Sequence, residues 1–81
     1  MIIKVLGSGC MNCITLEKRT KEALRELKID AVVEKVEDYE QIASYGIMRT
    51  PGLVIDETIA VAGFVPTTDK IKELLLAQRD A

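Results

Sequence analysis

Ile2 to Leu6 is a short apolar, β-branched run that stops at Gly7-Ser8-Gly9, and within a few residues the apolar spacing becomes helical. From about Met11 to Lys28, Leu16, Thr20, Ala23, Leu24 and Leu27 recur on one side, while Glu17, Lys18, Arg19, Lys21, Glu22, Arg25, Glu26 and Lys28 fill the other. Ala31 to Val36 then returns to a β-branched alternation through Val32, Val33 and Val36. A strand, helix, strand run of this length predicts a right-handed parallel crossover, because a twisted strand feeding a right-handed helix packs back onto its sheet only that way. The N-terminal half reads as βαβ.

Asp38 to Tyr45 predicts a short second helix, with Asp38 as N-cap, Gly46 as the C-terminal stop, and Ile42 and Ala43 facing inward. After Pro51, the runs Leu53-Val54-Ile55 and Ile59 to Ala62 predict a β-hairpin around Asp56-Glu57-Thr58, a turn without the usual glycine. Pro66-Thr67-Thr68-Asp69 starts a last amphipathic helix through Ile71, Leu74 and Leu75 to about Arg79. The element order is βαβαββα, in a single domain over residues 1–81. At 81 residues there is little surplus core and no room for a deep multi-substrate cleft.

Eleven Lys and Arg against thirteen Asp and Glu give a net charge of -2 without like-charge runs, which argues against nucleic-acid or anionic-membrane partners. The longest apolar stretch, Ile59 to Val65, interrupted by Gly63, falls far short of the roughly 20 residues that span a bilayer. The start of the chain lacks the pattern of a signal peptide, so a cytoplasmic location is expected. There is no histidine, which excludes Ser-His and Cys-His nucleophile pairs, His zinc sites and HExxH chemistry.

What remains is the pair in Cys10-Met11-Asn12-Cys13. As a structural staple it is poor: loop closure gives a four-residue ring only about 2 kcal/mol, against about 4.7 for a ring of 100 residues. A reducing compartment further favours redox or metal roles for vicinal cysteines over an inert pair. With a helix beginning near Met11, Cys10 meets the unpaired N–H groups and positive dipole end of the first turn, which stabilise a thiolate. Lowering a thiol pKa from about 8.5 to about 7 requires roughly 2 kcal/mol and ionises about half of it at neutral pH. Cys13, one turn along, is placed to attack a mixed disulfide on Cys10, so Cys10 reads as nucleophile and Cys13 as resolving thiol. Met11 and Asn12 set ring strain and local polarity. Arg49, ahead of Pro51, reads either as a positive charge near the thiolate or as a solvated loop charge.

The segments Ile3-Lys4-Val5-Leu6-Gly7-Ser8-Gly9-Cys10-Met11-Asn12-Cys13, Glu34-Lys35-Val36, Tyr45-Gly46-Ile47-Met48-Arg49-Thr50-Pro51 and Gly63-Phe64-Val65-Pro66 resemble the thioredoxin-like superfamily. Within it they are most similar to the small archaeal and bacterial redox-active disulfide proteins. The resemblance implies an α/β fold with a four-stranded mixed sheet in order 2-1-3-4, the third strand antiparallel to the first, and helices on both faces. It implies a thiol–disulfide oxidoreductase or electron carrier that needs no cofactor beyond the Cys10–Cys13 disulfide. It also implies a cis Pro51 beside the dithiol, with the Thr50 backbone offered to an extended substrate segment, and puts Gly9 and Gly63 in the site's environment. The implied partners are disulfide substrate proteins and a reductase, with the chain acting as a monomer. Two departures stand out: Met-Asn separates the cysteines where thioredoxin has Gly-Pro, and the polar residue of the first strand is Lys4, not an acid able to relay the resolving thiol's proton.

Soft-metal binding is the rival class, because two thiolates after a first strand also hold Cu(I) in heavy-metal-associated domains. Those domains run βαββαβ and end in a strand, whereas this chain ends in a predicted helix and lacks their Met-Thr/His lead-in to the first cysteine. Zinc would require two further ligands from another chain. Gly7-Ser8-Gly9 has Asn12 where a dinucleotide loop needs its third glycine. A non-catalytic redox switch would use the same cysteines.

Overall fold

The strand that opens the chain lies inside the sheet, paired on both edges. The computed structural model describes residues 1–7, 11–47 and 49–79. Its elements are β1 (Ile2–Leu6), α1 (Met11–Leu27), β2 (Val32–Val36), α2 (Tyr39–Ser44), β3 (Gly52–Ile55), β4 (Thr58–Ala62) and α3 (Thr68–Arg79). The sheet order is β2-β1-β3-β4. β1 runs parallel to β2, with Ile2 opposite Val32 and Leu6 opposite Val36. It runs antiparallel to β3, with Leu6 opposite Gly52. The βαβαββα order and the 2-1-3-4 mixed sheet are as the sequence implied.

Alternation along the strands divides the core between two faces. Ile3, Val5, Leu53 and Ile55 pack with Leu16, Ala23 and Leu24 of α1 and Ile71 and Leu75 of α3. Leu6, Val36 and Val54 pack on the opposite face with Ile42 of α2 and Ile47. Full burial of such a side chain is worth about 1.5–3 kcal/mol, so the larger α1/α3 cluster carries most of the fold's stabilisation. α2, at 6 residues, is too short to persist by propensity. It is held by Ile42 and by Asp38, whose Oδ1 accepts the Glu40 N–H at 2.9 Å as an N-cap. At α3, Thr67 Oγ1 accepts the Lys70 N–H at 3.2 Å.

Several details differ from the sequence expectation: β2 starts at Val32 instead of Ala31, β3 starts at Gly52 instead of Leu53, and Ala43, expected to face inward, is exposed. Two further boundary shifts have their cause in the adjoining turn. α1 ends at Leu27 instead of Lys28, because Lys28 adopts a left-handed conformation with φ 56. Its N–H reaches the Arg25 carbonyl at 3.2 Å and the Ile29 N–H reaches that of Leu24 at 3.0 Å, a Schellman closure with a lysine in the position glycine usually takes. β4 begins at Thr58, leaving Asp56-Glu57 as a two-residue hairpin turn. Both turn residues have positive φ, 47 and 67, the type I′ geometry whose twist matches the flanking strands. Side chains stabilise it where glycine would have: Asp56 Oδ1 accepts the Ile2 N–H at 2.7 Å and Glu57 Oε1 accepts from Lys4 Nζ at 2.9 Å.

Because a left-handed non-glycine residue costs about 1–2 kcal/mol, offset in part by the entropy glycine loses on folding, Lys28→Gly is expected to stabilise the protein by about 0.5–1 kcal/mol. Denaturant unfolding checks this through a raised midpoint at unchanged slope.

Candidate active site

β1 ends at Gly7, and that position organises the site. The Gly7 N–H donates to the Val36 carbonyl at 2.9 Å, so the backbone stays tied to β2 beyond the last strand residue. Its φ is 156, and a Cβ placed there would run into Sγ of Cys13 and lie 3.8 Å from Cβ of Thr50. Only a residue without a side chain lets the first turn of α1 and the loop before β3 close on the end of β1. Leu6 opposes Gly52 in the β1–β3 ladder, which brings the Thr50-Pro51 segment beside Gly7.

Cys13 is buried at 5% relative exposure and disulfide-bonded. Cys10, the other cysteine of the chain, and Gly9 lie outside the described residues. Met11 and Asn12 are exposed at the start of α1, Met11 at 77%. The first turn of α1 contains no acidic residue, so nothing on that turn opposes an anion at the helix terminus. The Thr50-Pro51 peptide is cis, with Pro51 buried and Thr50 exposed. The Pro51 carbonyl accepts the Gly63 N–H at 2.8 Å. Gly63 has φ +87, and a Cβ there would lie 3.1 Å from Cβ of Arg49. Arg49 itself is exposed and lays its stem along Gly63. The structure therefore brings Cys13, Thr50 and Pro51 together at Gly7, with Gly63 and Arg49 behind the proline.

Lys4 belongs to a different neighbourhood. It projects to the α2 face of the sheet, where Nζ donates to Tyr45 Oη and to Glu57 Oε1, each at 2.9 Å. The Tyr45 hydrogen bond, followed by that to Glu57, holds its ammonium above the ordinary lysine range, and Lys4 in turn holds the Glu57 carboxyl low. It is a clamp between β1, the end of α2 and the hairpin turn.

No residue behind Cys13 stands out in the sequence as part of the site. There a pocket of about 20 Å³ is bounded by Cys13, Val5 and Gly7 together with Glu17, Lys35 and Glu37. Glu17 was legible as the residue one helical turn beyond Cys13; its ion pair with Lys35, at 3.4 Å, depends on how α1 lies over β2. Among the described residues, no group of three or more His, Cys, Asp or Glu side chains is placed to hold a metal ion.

A buried disulfide cysteine at the start of a helix, packed against a cis-proline loop on a 2-1-3-4 sheet, defines a thiol–disulfide exchange domain. The family model described as "Thioredoxin domain" matches residues 1–76. A protein named "Thioredoxin" from Methanothermobacter thermautotrophicus is 41% identical over 75 residues, covering 93% of this chain and 97% of the relative. Another "Thioredoxin", from Methanocaldococcus jannaschii, is 37% identical over 75 residues, covering 93% of this chain and 86% of the relative. The chain belongs to the thioredoxin family, and its activity is that of a thiol–disulfide oxidoreductase.

Overpacking at a closed position costs about 1–3 kcal/mol. Gly7→Ala is expected to lose at least that much stability, in the disulfide form above all, because the new methyl and the Cys13 sulfur claim the same space. Denaturation of the oxidised and reduced variant beside the parent protein measures both losses; equal stability to the parent in both forms would contradict the closeness of this contact.

Proposed function

We propose that Cys10 is the attacking thiolate and Cys13 the resolving thiol in the reduction of protein disulfides. The observation that carries this is the burial of Cys13 at 5% exposure: an incoming disulfide cannot reach it first, and the chain's other cysteine is Cys10. In the first step the Cys10 thiolate attacks one sulfur of the substrate disulfide, and the other sulfur leaves as a thiolate that takes up a proton. In the second, Cys13 loses its proton and attacks the Cys10 sulfur, the Cys10–Cys13 bond forms, and the remaining substrate sulfur leaves. Two electrons pass to the substrate and the chain ends as the disulfide.

The helix terminus supports the first step. A favourable, partly buried terminus supplies up to about 2 kcal/mol to an anion, the amount that brings a thiol from about 8.5 to about 7. Recognition falls to Thr50, an exposed residue whose backbone would pair strand-like with a substrate segment, with the exposed apolar side chains of Met11, Ile14 and Phe64 available for further contact. The partners are disulfide-bearing proteins and a separate reductase that returns the dithiol. The chain works as a single domain and a monomer, in the cytoplasm, with no cofactor besides its disulfide. No helix among the described residues is long and apolar enough to cross a membrane. The metal-binding alternative gains nothing from the architecture, since the βαβα segment is followed by a β3–β4 hairpin, an order other than the βαββαβ of those domains.

Cys10→Ser is expected to lower disulfide reduction on the order of 10³-fold or more, as removal of a nucleophile does. Cys13→Ser is expected to accumulate a mixed disulfide on Cys10 that mass spectrometry reads directly. Trapping on Cys13 in the Cys10→Ser variant, with none on Cys10 in the other, would reverse the assignment.

A further inference from the structure

The resolving step requires a proton to leave a buried thiol, and burial disfavours the thiolate. Cys13 does not face apolar groups alone. It shares its pocket of about 20 Å³ with Glu17, Lys35 and Glu37, and such a volume accommodates one water molecule between polar partners. Glu17, four residues after Cys13, stands one turn along the same side of α1 and lines the same pocket. The Glu17 side chain is only 16% exposed. Its Oε1 lies 3.4 Å from Lys35 Nζ and its Oε2 lies 3.9 Å from Lys21 Nζ. Protonated lysines accept no proton, and Glu37 is exposed, which leaves Glu17 as the screened carboxylate among the described residues of the pocket.

We propose that Glu17 accepts the Cys13 proton in the resolving step, directly or across one water, in place of the acid that the first strand lacks. The proposal rests on the assignment of Cys13 as resolving thiol. The Cys13 S–H proton passes to the Glu17 carboxylate as the Cys13 sulfur attacks Cys10, and the Cys10–substrate bond breaks to release the substrate thiolate. The Glu17 carboxylic acid then returns its proton to solvent through the opening of the pocket. Lys21 and Lys35 fix the carboxylate in position, so Glu17 works without having to be recruited from solvent.

Reaction of the reduced protein with the aromatic disulfide dithionitrobenzoate separates the steps. Attack by Cys10 releases one thionitrobenzoate and resolution by Cys13 releases the second, each as a rise in absorbance. In Glu17→Gln the first phase is expected to keep its rate, while the second slows about ten- to hundredfold near neutral pH. That deficit is expected to shrink as alkaline pH ionises the Cys13 thiol unaided. Glu17→Asp should fall between Gln and the parent, and Glu37→Gln should leave both phases unchanged. A second phase unaltered or accelerated in Glu17→Gln, or slowed equally at every pH, would overturn the role of Glu17; so would slowing confined to Glu37→Gln. Loss of the two-phase pattern in the parent protein would instead strike the dithiol assignment itself.

Discussion

The site depends on how closely a strand end, a helix start and a proline loop pack at Gly7. β1 is paired on both sides and carries core side chains on both faces, so its end is among the least displaceable points of the fold. Cys13 and Thr50 close on that point because no side chain separates them from the backbone. Pro51, buried and tied through its carbonyl to Gly63, fixes the loop from behind. Packing on rigid elements in this way keeps Cys13 and the Thr50-Pro51 loop in register without a deep cleft, which an 81-residue chain has no material to build.

The same packing encloses Cys13, the second cysteine of the CxxC motif. The start of α1, with no acidic residue in its first turn, favours negative charge, whereas Cys13 is turned into the protein. An attacking thiol benefits from ionisation and access; a resolving thiol benefits from staying protonated and shielded until the mixed disulfide exists. The burial of Cys13 is what supports the proposed division of roles between the two cysteines. Charge is distributed accordingly: Lys4 is bound to Tyr45 and Glu57 on the far face of the sheet, while Glu17 and Lys35 stand on the Cys13 side.

Much of this architecture was legible in the sequence because its causes are local. The change from the Ile2–Leu6 run to the Leu16, Ala23, Leu24 stripe placed the βαβ unit, and Asp38 announced α2 through its own cap. Other features have non-local causes. The Asp56-Glu57 turn adopts type I′ geometry without glycine because Ile2 and Lys4 of β1 bind its side chains, a pairing visible only with the sheet assembled. Lys28 closes α1 because Ile29 must turn back onto the core against Leu24. The cis state of Thr50-Pro51 came from family resemblance, since spacing alone favours trans. Glu17 looked like one more charge on a solvated helix face until the crossover laid that face against Lys35.

The chemistry of the dithiol turns on which sulfur ionises first. Ultraviolet titration of thiolate absorbance in the reduced protein, repeated on Cys10→Ser and Cys13→Ser, measures this without any substrate. One thiol should ionise with a midpoint of about 7, vanish in Cys10→Ser and persist in Cys13→Ser, while the second stays protonated beyond the ordinary value of about 8.5. A low midpoint that survives Cys10→Ser, or two thiols that both titrate at the ordinary value, would contradict it.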